Sequence, residues 1–147
     1  MNDDEKALKL LENAVTKAQT SIEESTTFRP FLMTMAIDGT IKTIENREPT
    51  DEGSYALLEE SITDRARQNK LEVIVLAIKD RLPNKFSNGK VQSCIRLHIE
   101  EQSQLSKSIS ARFIYIPYTL HRIEGENRLH VNLGQAHPVG FPAEYLS

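Results

Sequence analysis

The sequence predicts a single α+β domain: a mainly antiparallel sheet with two helices packed on one face. Three observations predict it. Two stretches, residues 3–24 and 52–68, carry apolar residues at helical spacing. Six others alternate or run apolar over strand-like lengths. The strands follow one another across short turns, giving the order α-β-β-α-β-β-β-β, which favours antiparallel pairing.

In residues 3–24, Leu8, Leu11, Val15, Ala18 and Ile22 recur at intervals of three and four and make one apolar stripe. Asn2, Asp3 and Asp4 supply a cap and the negative charge that suits a helix start. Residues 28–45 read as a hairpin, with Asp38-Gly39 as a two-residue type I′ turn, both positions at positive φ. Its first strand is apolar on both sides and belongs inside the sheet. Its second, residues 40–45, is polar and lies outward.

The second helix follows Pro49, with Thr50 or Asp51 as cap and Tyr55, Leu58, Ile62 and Ala66 on one face. LEVIVLAIK, from residue 71, is β-branched and apolar on both faces, as a central strand requires. DRLPNKFSNGK, residues 80–90, reads as a loop through Pro83 and Asn88-Gly89. Residues 91–102 alternate cleanly, with Ile95, Leu97 and Ile99 on one face and Cys94, Arg96, His98 and Glu100 on the other. That pattern predicts a strand with one face covered and one in solvent. ARFIYIPY, residues 111–118, is another strand. Pro117 removes a ladder donor and places the strand's end or an edge near itself. Leu129, Val131 and Leu133 mark a short last strand. The single domain spans residues 1–147, with a coil-like tail from about residue 134, pinned by Phe141, Tyr145 or Leu146.

The element order is similar to that of small regulatory scaffolds of the roadblock or profilin type. This likeness implies a scaffold only, and no residue or activity carries across it.

A net charge of −3 argues against generic nucleic-acid binding, and no apolar run approaches the ~20 residues needed to cross a bilayer. The one cysteine, Cys94, and a charged helical start point to a reducing, cytoplasmic setting. Charge is unevenly spread. Residues 45–64 hold seven acids against Arg47, and residues 79–96 hold five bases against Asp80. Two solvated surfaces or two steering patches both explain this.

His98 and Glu100, at i and i+2, leave one face of their strand, and His130 sits on the polar side of the last strand. His98, Glu100 and His130 (or His121 as the third) could bind Zn or another divalent metal such as Fe or Mn. The competing account is a solvated sheet face, since no HExxH or CxxC pattern supports a metal site. Cys94 and His98 stand four strand residues apart, about 13 Å, too far for a direct dyad. There is no GxSxG, GxGxxG or Walker-type loop. The aromatic strand and its basic neighbours offer Arg96, Arg112, Tyr115 and Tyr118 as contact residues.

The favoured expectation is a non-catalytic protein-binding or regulatory domain acting through its sheet face or edge. Its partner is a second copy, as a homodimer, or another protein, and no cofactor is needed. One alternative is a small metal-dependent enzyme or metal-binding protein using His98, Glu100 and His130. Another is an immunity-type protein whose acidic block meets a basic toxin.

Overall fold

The LEVIVLAIK segment lies inside the sheet, as its two-sided apolar pattern requires. In a computed structural model that describes residues 2–90, 92–127 and 129–146, without the side chains of residues 67–69, it forms β3 (Leu71–Arg81). Its neighbours are β1 (Phe31–Ala36) and β4 (Ser93–Glu101). Val91, expected near the start of β4, lies outside the described residues. β2 (Ile41–Ile44) pairs with β1, and β5 (Ala111–Arg122) pairs with β4. The free side of β5 takes β6 (Leu129–Leu133) and β7 (His137–Phe141). All pairings are antiparallel, in the order β2-β1-β3-β4-β5-β6, with β7 on β5.

The α+β class and antiparallel sheet therefore stand, but the helices differ from expectation. α1 (Asp3–Ser25) packs on Met33, Met35, Val73, Val75, Ile95 and Leu97. α2 (Asp51–Asn69) packs on Leu32, Ile74 and Leu76, the alternate residues of the same strands. Alternate residues point to opposite faces, so the two helices cover opposite faces rather than one. The two-sided apolar patterns of β1 and β3 require this, because a second bare face would leave Leu32, Ile74 and Leu76 in water.

Locally, α1 opens on a capping box: the Asn2 side chain accepts from Glu5 N at 2.8 Å and Glu5 returns the bond to Asn2 N at 3.3 Å. Its buried stripe is Ala7, Leu10, Ala14, Ala18 and Ile22, while Leu8 is 57% exposed. The sequence carries two overlapping stripes, and the helix turns its small alanines to the sheet, which allows close approach. The hairpin loop uses one left-handed residue, Gly39 at φ 90°, rather than two. Gly39 N donates to Ala36 O and Ala36 N to Thr40 O, a three-residue connection. A four-residue helix, α3 (Asn84–Ser87), closes the β3–β4 loop before the left-handed Asn88 and Gly89.

The largest difference lies past residue 134, where the expected coil is β7. Pro138 and Gly140 hide the strand pattern, and both are tolerated because β7 is an edge. β6 and β7 line one edge of β5 in sequence, separated by a bulge. Between the pairs Tyr118↔Leu133 and Tyr115↔His137, β5 holds Ile116 and Pro117 while its partner holds Gly134, Gln135 and Ala136. The extra residue reverses side-chain parity. Odd residues of β6, such as Val131, face α1, whereas His137, Val139 and Phe141 share the face of Phe113 and Tyr115. Pro117 thus sits mid-strand, at the bulge, where its carbonyl accepts from Gly134 N at 2.7 Å. A Cβ on Gly134 would lie 2.9 Å from Pro117 Cγ, so glycine permits this approach.

Candidate functional site

The polar side of β4 is not solvated. It lies on the face that α2 only partly covers, and β7 and the residues after it close over the remainder. His98 is 2% exposed and Glu100 is fully buried. Their Nε2 and Oε2 atoms are 2.7 Å apart. Glu144 N donates to Glu100 Oε2 at 3.0 Å, and Tyr145 N and Leu146 N both donate to Oε1 at 3.0 Å. One buried carboxylate thereby satisfies three successive backbone amides and an imidazole. Burial alone would raise the Glu100 carboxyl, but His98 and the amides of Glu144, Leu146 and Tyr145 outweigh it and hold it below its ordinary value. An ionised carboxylate only accepts, so His98 Nε2 is the donor.

The His98 ring lies against Phe113, Phe141 and Tyr145, with centroids at 5.3, 5.0 and 5.0 Å. Tyr145 then donates its hydroxyl to Glu59 on α2 and, with Leu146, joins the α2 core. Burial and the Glu59 carboxylate push the Tyr145 phenol upward. This centre is a clasp for the C-terminal segment, and the structure bears out Tyr145 and Leu146 as its pins.

His130 is elsewhere. It pairs with His121 across β5–β6, whereas His98 pairs with Phe113. His121 and Phe113 are eight residues apart on β5, roughly 26 Å of strand. His130 Nε2 meets Glu126 at 2.7 Å, its ring stacks on His121 at 5.7 Å, and Asn132 bonds His121 at 3.2 Å. The structure joins His98 to Glu100 and leaves out the third expected ligand. Among the described residues no group of three or more His, Cys, Asp or Glu is placed to hold a metal ion. Zinc added to EDTA-treated protein is therefore expected to leave the thermal midpoint unchanged. A rise that vanishes in His98→Ala would restore the metal reading.

Cys94 is fully buried, and burial, reinforced by Asp80, pushes its thiol up to about 12. A thiol held so high supplies almost no thiolate at neutral pH.

The contact residues separate. Tyr118 is 5% exposed and belongs to the α1 core, and burial raises its phenol. It corrects the expectation of a surface tyrosine: Tyr118 leaves β5 on the same side as Ile116, into the core under α1. Arg112 leaves the α1 side of β5 and meets Glu101 at 3.2 Å. That pair lines a cleft of about 370 Å³ with Leu8, Leu11 and Ile109, and burial raises the Glu101 carboxyl.

Arg96 and Tyr115 do meet, as directly opposed residues of β4 and β5. The Arg96 guanidinium lies between the Tyr55 and Phe113 rings, 5.3 and 5.2 Å from their centroids, and pairs with Asp80 at 2.9 Å. Its Nε is buried without a hydrogen-bond partner among the described residues. Beside it, Phe86 of α3 stacks on His137 at 4.5 Å and 11°, and lies 6.1 Å from Tyr115. Tyr55, Phe86, Tyr115 and His137 are all half-buried. The sequence points to Arg96 and Tyr115 and, beside Lys85 and Lys90, to the aromatic Phe86, but not to His137 or to the stack that joins it to Phe86. The loop and tail that bring those two together carry no periodic signal.

Compared with known proteins, the chain matches no family model, no curated protein and no solved structure. Among the described residues no helix is long and apolar enough to cross a membrane.

Proposed function

We propose that the chain is a non-catalytic protein-binding domain acting through the sheet face at Arg96 and Tyr115. One observation carries this reading: half-buried Tyr55, Phe86, Tyr115 and His137 surround a stacked arginine at the end of the α2-side face. Aromatic residues and arginine are the types enriched at the centres of protein interfaces, and the aromatic ones bury large area with little loss of side-chain freedom. Three buried groups of types suited to acid–base or nucleophilic work support it from the other side. Glu100 is saturated with donors, His98 is enclosed by rings, and Cys94 is held as a thiol.

The test is the size of the protein purified undenatured from cells that make it. The parent chain is expected to elute with a partner. Tyr115→Ser with His137→Ser is expected to elute as the bare chain, folded by its melt, while Leu57→Ser on α2 retains the partner. A complex that survives the double substitution sinks the reading.

A second copy is the other reading, through the sheet edge. β6 ends the strand order, and LHVNL carries no Lys or Pro to guard its outer edge, in contrast to β2, which carries Lys42. Leu120, Ile123 and Leu133 lie exposed beside it. Sedimentation of the parent and of Leu133→Lys decides this. A dimer lost in the variant supports the edge, and a monomer at high concentration removes it.

A further inference from the structure

We propose that the partner of this face is an acidic polypeptide segment, an inference that rests on the reading of the face as the binding surface. The β3–α3–β4 end of the molecule carries Lys79, Arg81, Lys85 and Lys90, all exposed. None of the four makes an ion pair with another described residue. Asp80, the one acid of this stretch, is already engaged by Arg96. Four exposed cations without an ion-pair partner among the described residues thus gather at this end of a chain whose net charge is −3. Such a field attracts acidic partners and repels basic ones.

The basic end and the aromatic face form one continuous surface. Lys85 Nζ sits 5.0 Å from the centroid of the Phe86 ring, and Phe86 stacks on His137 and approaches Tyr115. Lys79 and Arg81 leave the opposite side of β3 from Asp80, by strand alternation, so the cations wrap around the end rather than cover the rings. An acidic segment crossing this end reaches the lysines with its carboxylates and lays apolar side chains on Tyr115 and His137.

A single-stranded nucleic acid also seeks cations beside aromatics. It binds by stacking bases on open ring faces. Here the Phe86 ring is stacked on His137 and has Lys85 over it, and Arg96 occupies the Tyr55 and Phe113 rings. The filled ring faces favour the polypeptide.

The test titrates the full chain with a fluorescein-labelled Asp/Glu-rich peptide containing leucines, and separately with oligothymidylate. Backbone amide shifts are recorded in the same samples. The expected result is saturable peptide binding, weakened about tenfold by a rise from low to physiological salt, with shifts at residues 84–96, 115 and 137. Lys85→Glu with Lys90→Glu, both at exposed positions and checked for folding by their melt, is expected to weaken binding at least tenfold. Preference for oligothymidylate on this face overturns the acidic partner and leaves the face standing. So does the absence of peptide binding. Peptide shifts confined to α2 or to the β6 edge overturn the face itself.

Discussion

Glu100→Ala is expected to lower folding stability by about 3–5 kcal/mol, the range for removing one partner of a buried charge network. The carboxylate accepts from His98 Nε2 and from the amides of Glu144, Tyr145 and Leu146. Alanine leaves the buried His98 donor and three part-buried amides without their acceptor, and a fully buried orphan costs about 1–3 kcal/mol before relaxation. Relaxation is available, because the last residues can lift into water and take Tyr145 away from Glu59. The loss should therefore appear partly as local release: faster amide exchange at residues 144–146 in a chain whose sheet stays protected. Glu100→Gln keeps the shape and one good acceptor and should lose less. Denaturant unfolding of the three proteins checks this. A change below about 1 kcal/mol in Glu100→Ala would mean that the clasp does not hold the segment.

The same centre gives acid sensitivity a definite sign. The folded Glu100 carboxyl lies below its ordinary value. Its contribution is fully present above the unfolded value and is lost as pH falls through the folded one. Glu101, raised by burial, works in the opposite sense, since its folded form binds a proton more readily than the unfolded chain does. Glu100→Gln is expected to flatten the acid limb of the stability profile, measured as denaturant midpoint against pH from neutral to about 3. An unchanged limb would mean that Glu100 contributes little to it.

Deleting Gln135 should be at least as damaging, on the order of 4 kcal/mol. The deletion makes residues 134–136 two long, matches Ile116 and Pro117 of β5, and removes the bulge. If pairing persists, His137, Val139 and Phe141 turn to the α1 side, because a one-residue slip inverts every side chain. Phe141 then leaves His98 and Phe113, which it now meets at 5.0 and 4.7 Å. The amides of residues 144–146 also move about 3.3 Å along the strand, out of reach of Glu100. A lost near-ultraviolet tyrosine signal with an early unfolding midpoint is the expected outcome. Near-parent stability would show that the bulge is dispensable.

What the sequence made legible follows from which contacts are local. Both helices, their caps and the central β3 announce themselves through periodicity, and each is found where periodicity places it. The alternation of β4 is legible in the sequence, but its surroundings are not. Nothing near His98 and Glu100 in sequence shows that residues 144–146, more than forty positions later, cover them. β7 was hidden by Pro138 and Gly140, whose tolerance depends on edge position and therefore on topology. The face formed by Arg96 and Tyr115 needed the β4–β5 register, and Phe86 and His137 needed the bulge. His130 failed as a third ligand for the same reason. Strand membership was correct, but β6 pairs with the far end of β5.

The reading of Arg96 and Tyr115 as the working surface is tested most directly by placing a photo-reactive phenylalanine at Tyr115. The same residue goes at Leu57 on α2 and at Leu133 on β6, in cells that make the protein. Irradiation should link a partner at position 115, leave position 57 unlinked, and give at position 133 no more than a second copy of the chain. Adducts formed at 57 and absent at 115 would move the binding surface to the acidic helix and dismiss the sheet face.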